Sequence, residues 1–164
     1  MAVKPKEHYN RGFHPTATCG TFGVAVSAGK LLGLDEGQLL SALGIAGSQA
    51  AGSMEFLTDG AWTKRLHPGW AAFSGIHAAL LAREGFVGPA TIVEGKDGFL
   101  KAYSLHPDPG KVTDGLGEDF QILQTAVKPH ACCRYTQAPI DAVLAIAKAH
   151  ELQPQQVDRV TIGM

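Results

Sequence analysis

The run from Thr16 to Leu32 contains no Asp, no Glu and no proline, and it stands between Pro15 and Gly33. Proline just inside a helix start and glycine just past its end is the asymmetry that helix termini favour, because proline lacks only an N–H that has no partner there anyway. The segment therefore predicts a helix opened by Pro15. Its interior is crowded with small residues: Ala17, Gly20, Gly23, Ala25, Ser27, Ala28 and Gly29. Each interior glycine costs up to about 1 kcal/mol of helix propensity relative to alanine. Close helix-on-helix packing would offset that loss, so the sequence predicts a buried, central helix.

A second helix should begin after Asp35, since Asp35 and Gln38 have the spacing of a capping box, with Leu34 and Leu39 placed as a hydrophobic staple. Its apolar positions carry it to Ala50 or Ala51, and Gly52 ends it. A third is expected with Pro68 as its first residue, bearing Trp70, Phe73, Ile76, His77, Leu80 and Leu81 and stopping at Gly85. Beyond Gly85 the pattern loosens. Thr91 to Glu94 reads as a short extended piece, Lys96 to Tyr103 as a short helix, and Leu105 to Gly117, rich in Pro, Gly and Asp, as loop. Phe120 to Pro129 alternates like a strand, Thr136 to Ala149 reads as a helix with Pro139 in its first turn, and Val157, Val160 and Ile162 suggest a final strand. The expected fold class is a mainly α-helical domain, part of an all-helical bundle, followed by a partial α+β lid. The expected boundaries are 1–104 for the helical part, 105–118 for a linker and 119–164 for the lid. Two strands and one helix rarely bury a core alone, so that last region reads as incomplete.

Composition narrows the function classes. Of 164 residues 45% are hydrophobic, which excludes a disordered or collagen-like chain despite twenty glycines and nine prolines. Fourteen Lys and Arg balance fifteen Asp and Glu, for a net charge of −1, so no global field is available to hold nucleic acid or an anionic membrane. Anion binding must come from local clusters. Three cysteines, two of them adjacent at Cys132 and Cys133, do not form a secreted disulfide framework, and the opening MAVKPKEHYN has no apolar signal core. The longest largely apolar stretch, Gly20 to Leu34, is too short and too interrupted to span a bilayer. These features predict a soluble cytoplasmic protein.

Three segments carry clustered cations and histidines. In Arg11-Gly12-Phe13-His14-Pro15-Thr16, an imidazole and the Thr16 hydroxyl sit at a helix N-terminus, where free backbone N–H groups attract anions; the alternative is that His14 merely caps the helix. In the segment from Asp59 to Trp70, Lys64, Arg65 and His67 offer three anion contacts within four residues. Arg can clamp a carboxylate bidentately, whereas Lys is a point charge that can carry a proton once desolvated. The alternative is a solvated loop that Trp62 and Trp70 anchor to the core. In Val127-Lys128-Pro129-His130-Ala131-Cys132-Cys133-Arg134-Tyr135, two cations and a phenol again approach a helix start. Adjacent cysteines lack the gap of zinc-ligand pairs, and cysteines acting as buried small hydrophobes compete with a nucleophilic role. No P-loop, dinucleotide fingerprint or serine elbow is present. Together the clusters suit a small polycarboxylate. Reaction at the carbon next to a carboxylate needs a base for the proton and cations for the negative charge that builds on the oxygens.

The stretches GFHPTATCGTFGVAVSAGKLLGLD, LGIAGSQAAGSMEFLTDGAWTKRLHPGWAA and VKPHACCRYTQAPIDA resemble the MmgE/PrpD family, which holds 2-methylcitrate dehydratases, cis-aconitate decarboxylases and iminodisuccinate epimerases. The similarity runs from Tyr9 to Ile162. It implies a lyase or isomerase of small di- and tricarboxylates with a large helical domain and a smaller lid, usually a homodimer, working without a metal or organic cofactor. His14 looks like the active-site histidine of the family's FHPT motif, Lys64 like the lysine of its TK-x-LH motif and His67 like the histidine closing it. Lys128 looks like the lysine opening the lid motif. These make His14, Lys64 and Lys128 the expected catalytic residues, and Thr16, Arg65, His67, Cys133, Arg134 and Tyr135 the expected substrate contacts. Arg134 and Tyr135 occupy the lid motif's cation and aromatic positions. Cys133 falls where the decarboxylase branch has histidine, which weakens a decarboxylase reading, and His130-Ala131 departs from the usual Tyr-Pro; the cation clusters together with the resemblance make dehydration of a 2-methylcitrate-like acid the expected reaction. Family members run to several hundred residues, so the resemblance also implies a chain that starts midway through the helical domain and lacks an upstream Asp and His-Pro-Gly histidine. Such a chain could instead be a non-catalytic oligomerising module, or one half of a split enzyme completed by an N-terminal partner chain.

Overall fold

The computed structural model describes residues 5–163; Met1 to Lys4, part of the opening read for a signal core, lie outside the described residues, as does Met164. The chain forms two compact units that meet in sequence between Asp114 and Gly115, a point within the stretch read as linker. The first unit holds α1 (Pro5–Asn10), α2 (Pro15–Leu31), α3 (Glu36–Gln49), α4 (Phe56–Asp59), α5 (Thr63–Arg83) and α6 (Phe99–Tyr103). The second holds α7 (Gln137–Ala149) and short 3₁₀ turns. No helix among the described residues is long and apolar enough to cross a membrane.

Helices α2, α3 and α5 form the centre of the first unit, and small residues let them approach. Their shared core is Ala25, Ala42, Ile45, Ala46, Ala78, Ala79 and Ala82, with Leu32, Leu34 and Leu81 packed around it. At Gly75 of α5 a Cβ would stand 2.6 Å from the Val24 Cβ and 2.7 Å from the Thr21 carbonyl oxygen of α2. The two backbones thus meet where a side chain would have been, which is the close packing that the small-residue run of α2 predicts. α3 begins as expected. The Asp35 Oδ1 accepts the Gln38 N–H at 2.8 Å while the Gln38 Oε1 accepts the Asp35 N–H at 3.1 Å, so two N–H groups with no helical partner are satisfied reciprocally.

α5 corrects the reading of Pro68 as a first helical residue, because the helix starts at Thr63 and contains Pro68. Proline cannot give an N–H to the Lys64 carbonyl, so one rung of the helix is missing there. The turn ahead of it is held by tertiary contact instead, since His67 is buried against His14 and Phe56. Thr91 to Glu94 forms turns rather than an extended piece. Its carbonyls are taken by α6, with the Phe99 N–H donating to Ile92 O at 2.7 Å and the Leu100 N–H to Val93 O at 3.0 Å. A second core joins Ala50, Phe99 and Leu100 with Phe22, Val93 and Tyr103. α1, which the sequence pattern did not announce, is pinned at two points. The His8 Nε2 lies 2.9 Å from the Thr18 hydroxyl, and the Glu7 carboxylate accepts the Ser104 hydroxyl at 2.9 Å and pairs with the His106 Nδ1 at 2.9 Å.

In the second unit α7 starts at Gln137 with Pro139 in its first turn, as predicted. The α+β lid is not formed: there is no strand among the described residues. Gln121–Gln124 is a 3₁₀ turn, Pro154–Gln156 is another, and Val157, Val160 and Ile162 lie in irregular chain at 46–53% exposure. The alternating pattern failed for a physical reason. A strand needs a neighbour for its N–H and C=O groups, and here those groups close on themselves, as when the Leu123 N–H donates to Phe120 O at 3.0 Å.

Candidate active site

The chain segment before α2 is tied to the segment before α4 by an isolated antiparallel bridge between Phe13 and Ser53. Two hydrogen bonds make it, from the His14 N–H to Gly52 O at 3.0 Å and from the Met54 N–H to Gly12 O at 2.8 Å. Gly52 has φ +148, and a Cβ there would stand within van der Waals overlap of the Ala17 Cβ. Only glycine lets the chain turn so tightly against α2. This bridge sets His14 beside the start of α5.

His14 is the residue preceding α2, yet its side chain makes no capping hydrogen bond. The capping alternative therefore fails. Its Nδ1 lies 2.8 Å from the Nδ1 of His67. Both rings are buried, at 7% and 8% exposure. Phe56 of α4 meets them edge-on, its ring centre 5.5 Å from that of His14 and 5.7 Å from that of His67. Burial pushes the His14 imidazole below its ordinary pKa of 6.5, and the positive charges that His67 and Lys64 can carry push it further the same way. Both influences favour the neutral form of the His14 ring, the form that can accept a proton.

Phe56 also lines a cleft of about 280 Å³ with Leu57, Gly60, Trp62, Lys64 and Arg65, a volume close to the lower limit for ligand pockets and suited to a small acid. The Lys64 ammonium stands 5.8 Å from the centre of the Phe56 ring and the Arg65 guanidinium 5.3 Å from that of Trp62, both within cation–π range. Two exposed cations thus sit on aromatic faces in the lining of the cleft, able to meet carboxylates. Trp62 and Trp70, 77% and 49% exposed, do not anchor this segment to the core. Thr16 is exposed in the first turn of α2.

The remaining expected site residues belong to the second unit. Lys128 is exposed, Arg134 and Tyr135 lie in the 3₁₀ turn Arg134–Thr136, and Cys133 precedes that turn. Cys133 is exposed and unpaired, which removes the reading of it as a buried small hydrophobe. The organiser of this loop is Gln137, which is 2% exposed. Its Nε2 donates to His130 O at 3.1 Å and Cys133 O at 3.2 Å, while its Oε1 accepts the His130 N–H at 2.9 Å. His130 pairs through Nε2 with the Asp141 Oδ1 at 2.8 Å. Beside the turn lies an apolar groove of about 610 Å³ lined by Tyr135, Pro139, Ile140, Val143, Leu144 and Ile162 among others. It offers a carboxylate nothing.

Sequence reasoning passed over Phe56, Gly52 and Gln137. Gly52 was legible as a helix end but not as the hinge of the bridge, Phe56 has no chemistry of its own, and a buried Gln is invisible until the carbonyls around it are seen. Among the described residues no three His, Cys, Asp or Glu side chains gather where they could hold a metal ion.

The sequence profile of the MmgE/PrpD N-terminal domain matches residues 1–111. A cis-aconitate decarboxylase of Aspergillus terreus (strain NIH 2624 / FGSC A1156) is 32% identical over 169 residues, covering 99% of this chain and 34% of that protein. A cis-aconitate decarboxylase-like protein, oryM, of Aspergillus oryzae is 33% identical over 160 residues, 93% of this chain and 32% of that protein. The cis-aconitate decarboxylase of Homo sapiens is 40% identical over 92 residues, 56% of this chain and 19% of that protein. The chain spans about a third or less of the length of these relatives.

Proposed function

The chain belongs to the MmgE/PrpD family, and from that premise we propose that it supplies the helical part of a carboxylate lyase, in which the His14–His67 pair handles the proton and Lys64 with Arg65 receives the substrate's carboxylates. The observation that carries this reading is the buried Nδ1-to-Nδ1 contact of the two imidazoles beside a small cation-lined cleft. Removing or delivering a proton at a carbon next to a carboxylate is common to dehydration and decarboxylation. A neutral imidazole is suited to that transfer, and nearby cations stabilise the charge that develops on the carboxylate. The names of the relatives make cis-aconitate the first substrate to try. Cys133, standing where the decarboxylase branch carries histidine, keeps dehydration of 2-methylcitrate as its rival. The three unpaired cysteines suit the reducing cytoplasm in which we place the protein.

The test is to incubate the chain, alone and with an N-terminal complement from a family member, with cis-aconitate, 2-methylcitrate, citrate and iminodisuccinate. Carbon dioxide, an unsaturated product or an epimer should form. Lys64→Ala and His14→Ala should each lower turnover by at least ~100-fold, the scale of a lost proton carrier or electrostatic contact. Failure to turn over any of these acids in either preparation, or unchanged turnover in both variants, would remove the lyase reading.

A second reading, an oligomerising module, is favoured by α5. The face that packs on α2 and α3 is built from Ala71, Ser74, Gly75, Ala78, Ala79 and Ala82. The other exposes Leu66, Trp70, Phe73, His77 and Leu80, spaced four, three, four and three residues apart, with Trp70 and Phe73 stacked at 5.3 Å. That spacing is a coiled-coil seam, and we read a second copy of the chain as its partner.

A further inference from the structure

Two imidazoles that meet Nδ1 to Nδ1 at 2.8 Å cannot choose their protonation independently. A neutral imidazole has one N–H and one lone pair, and an imidazolium has two N–H groups. The contact therefore needs a proton on one Nδ1 and a lone pair on the other. When both rings are neutral their tautomers must be complementary. The ring that donates from Nδ1 has a bare Nε2, and the ring that accepts at Nδ1 carries its proton on Nε2. Neither Nε2 is taken by another hydrogen bond among the described residues, and neither is sealed away as a buried atom without a partner.

We propose that His14 and His67 act as one proton-sharing dyad, with His67 the positioning residue that ties the tautomer of His14 to its own. The dyad conducts a proton as well as holding one. A proton that binds the bare Nε2 of one ring makes it an imidazolium. The Nδ1 proton of that ring crosses the hydrogen bond to the Nδ1 lone pair of the other, which becomes the imidazolium and releases its own Nε2 proton. One N–H forms and one breaks at each ring, one proton enters and one leaves, and the two tautomers exchange. Two imidazoliums would set N–H against N–H, so the dyad takes up one proton and refuses a second while the contact holds. Phe56 flanks both rings without a proton to offer. The Thr18 hydroxyl is directed to the His14 carbonyl and His8, not to either dyad nitrogen. Lys64 is the further charged group that bears on His14. The dyad's part in turnover rests on the lyase reading; its existence does not.

The experiment is long-range ¹H–¹⁵N correlation spectroscopy of the imidazole nitrogens in the uniformly ¹⁵N-labelled chain, from pH 5 to 8. The expected result is one ring of the pair with Nδ1–H, the other with Nε2–H, a ¹⁵N–¹⁵N coupling across the hydrogen bond, and uptake of a single proton by the pair. His67→Ala should abolish the coupling and leave His14 a mixture of tautomers. His67→Asn, whose amide can meet either tautomer at Nδ1, should also abolish the coupling yet keep the His14 Nδ1 hydrogen-bonded. The same Nε2–H tautomer in both rings of the wild-type chain, or two independent titrations without coupling, overturns the proposal even if neither variant folds. Complementary tautomers in a chain that turns over no carboxylate support the dyad and remove only the lyase reading. Turnover with two uncoupled Nε2–H rings overturns the dyad and keeps that reading.

Discussion

At the scale of residues, burial shifts two imidazoles and a hydrogen bond shifts one carboxylate. His8 and His14 both have a proton affinity pushed below 6.5, chiefly because burial removes the water that would solvate an imidazolium. Unfolding releases them to 6.5, so below that pH the unfolded chain binds more protons and the folded state loses stability. The Glu7 carboxylate behaves in parallel, held at about 2 against an ordinary 4.5, mainly by its hydrogen bond with His106. Its contribution is complete above 4.5 and disappears as pH falls toward 2. The chain should therefore weaken in two acid steps, one starting below pH 6.5 and one below 4.5. Urea midpoints measured at half-unit intervals would resolve them, and Glu7→Gln should erase the lower step alone. Lys64→Met should raise the His14 pKa by removing a neighbouring cation, with the sign read directly from an NMR titration. His14 and Lys64 stood out in the sequence as candidates because proton transfer and carboxylate binding draw on few residue types. Phe56 and Gln137 could not, since their value lies in what they touch.

At the scale of elements, α2 and α3 were legible because their signals are local. The proline and glycine bounding α2 and the Asp35–Gln38 box act within a few residues of themselves. Asp35→Ala should cost about 1 kcal/mol, readable as a lowered thermal midpoint with the fold retained. Gly75→Ala should cost more, about 1–3 kcal/mol, because the added carbon must push α2 away; the same change at Gly69, where a Cβ meets nothing within 4 Å, should be neutral or stabilising. The start of α5 was misread because Pro68 is a strong local signal that a tertiary contact overrides. The strands expected near Phe120 and Val157 were misread for the opposite reason: alternation is necessary for a strand but not sufficient, and the neighbour that would complete the ladder is absent among the described residues.

At the scale of the whole molecule, the division between Asp114 and Gly115 separates a first unit with a true core from a second in which the apolar side chains of α7 are largely uncovered, Leu144 and Ile146 being 57% and 54% exposed. The outer face of α5 is open in the same way. Light scattering across protein concentration should give a mass that rises toward twice that of the chain. Phe73→Glu, placed at the middle of the α5 stripe and outside the core, should hold it at one; a wild-type monomer at all concentrations would remove the reading of α5 as a seam. The sequence could carry the family and the helical class because these depend on long patterned stretches. It could not carry which faces remain bare, because that depends on which chains are present together.

The Phe13–Ser53 bridge has a consequence for how the imidazole pair endures. It is a latch of two rungs, with no sheet behind it to share the load, and one rung begins at the amide of His14 itself. The first turn of α2 grips the same residue from the other side, where the His14 carbonyl accepts the Ala17 and Thr18 N–H groups at 3.0 and 3.1 Å, so the imidazole is held at the seam between a helix end and a clasp.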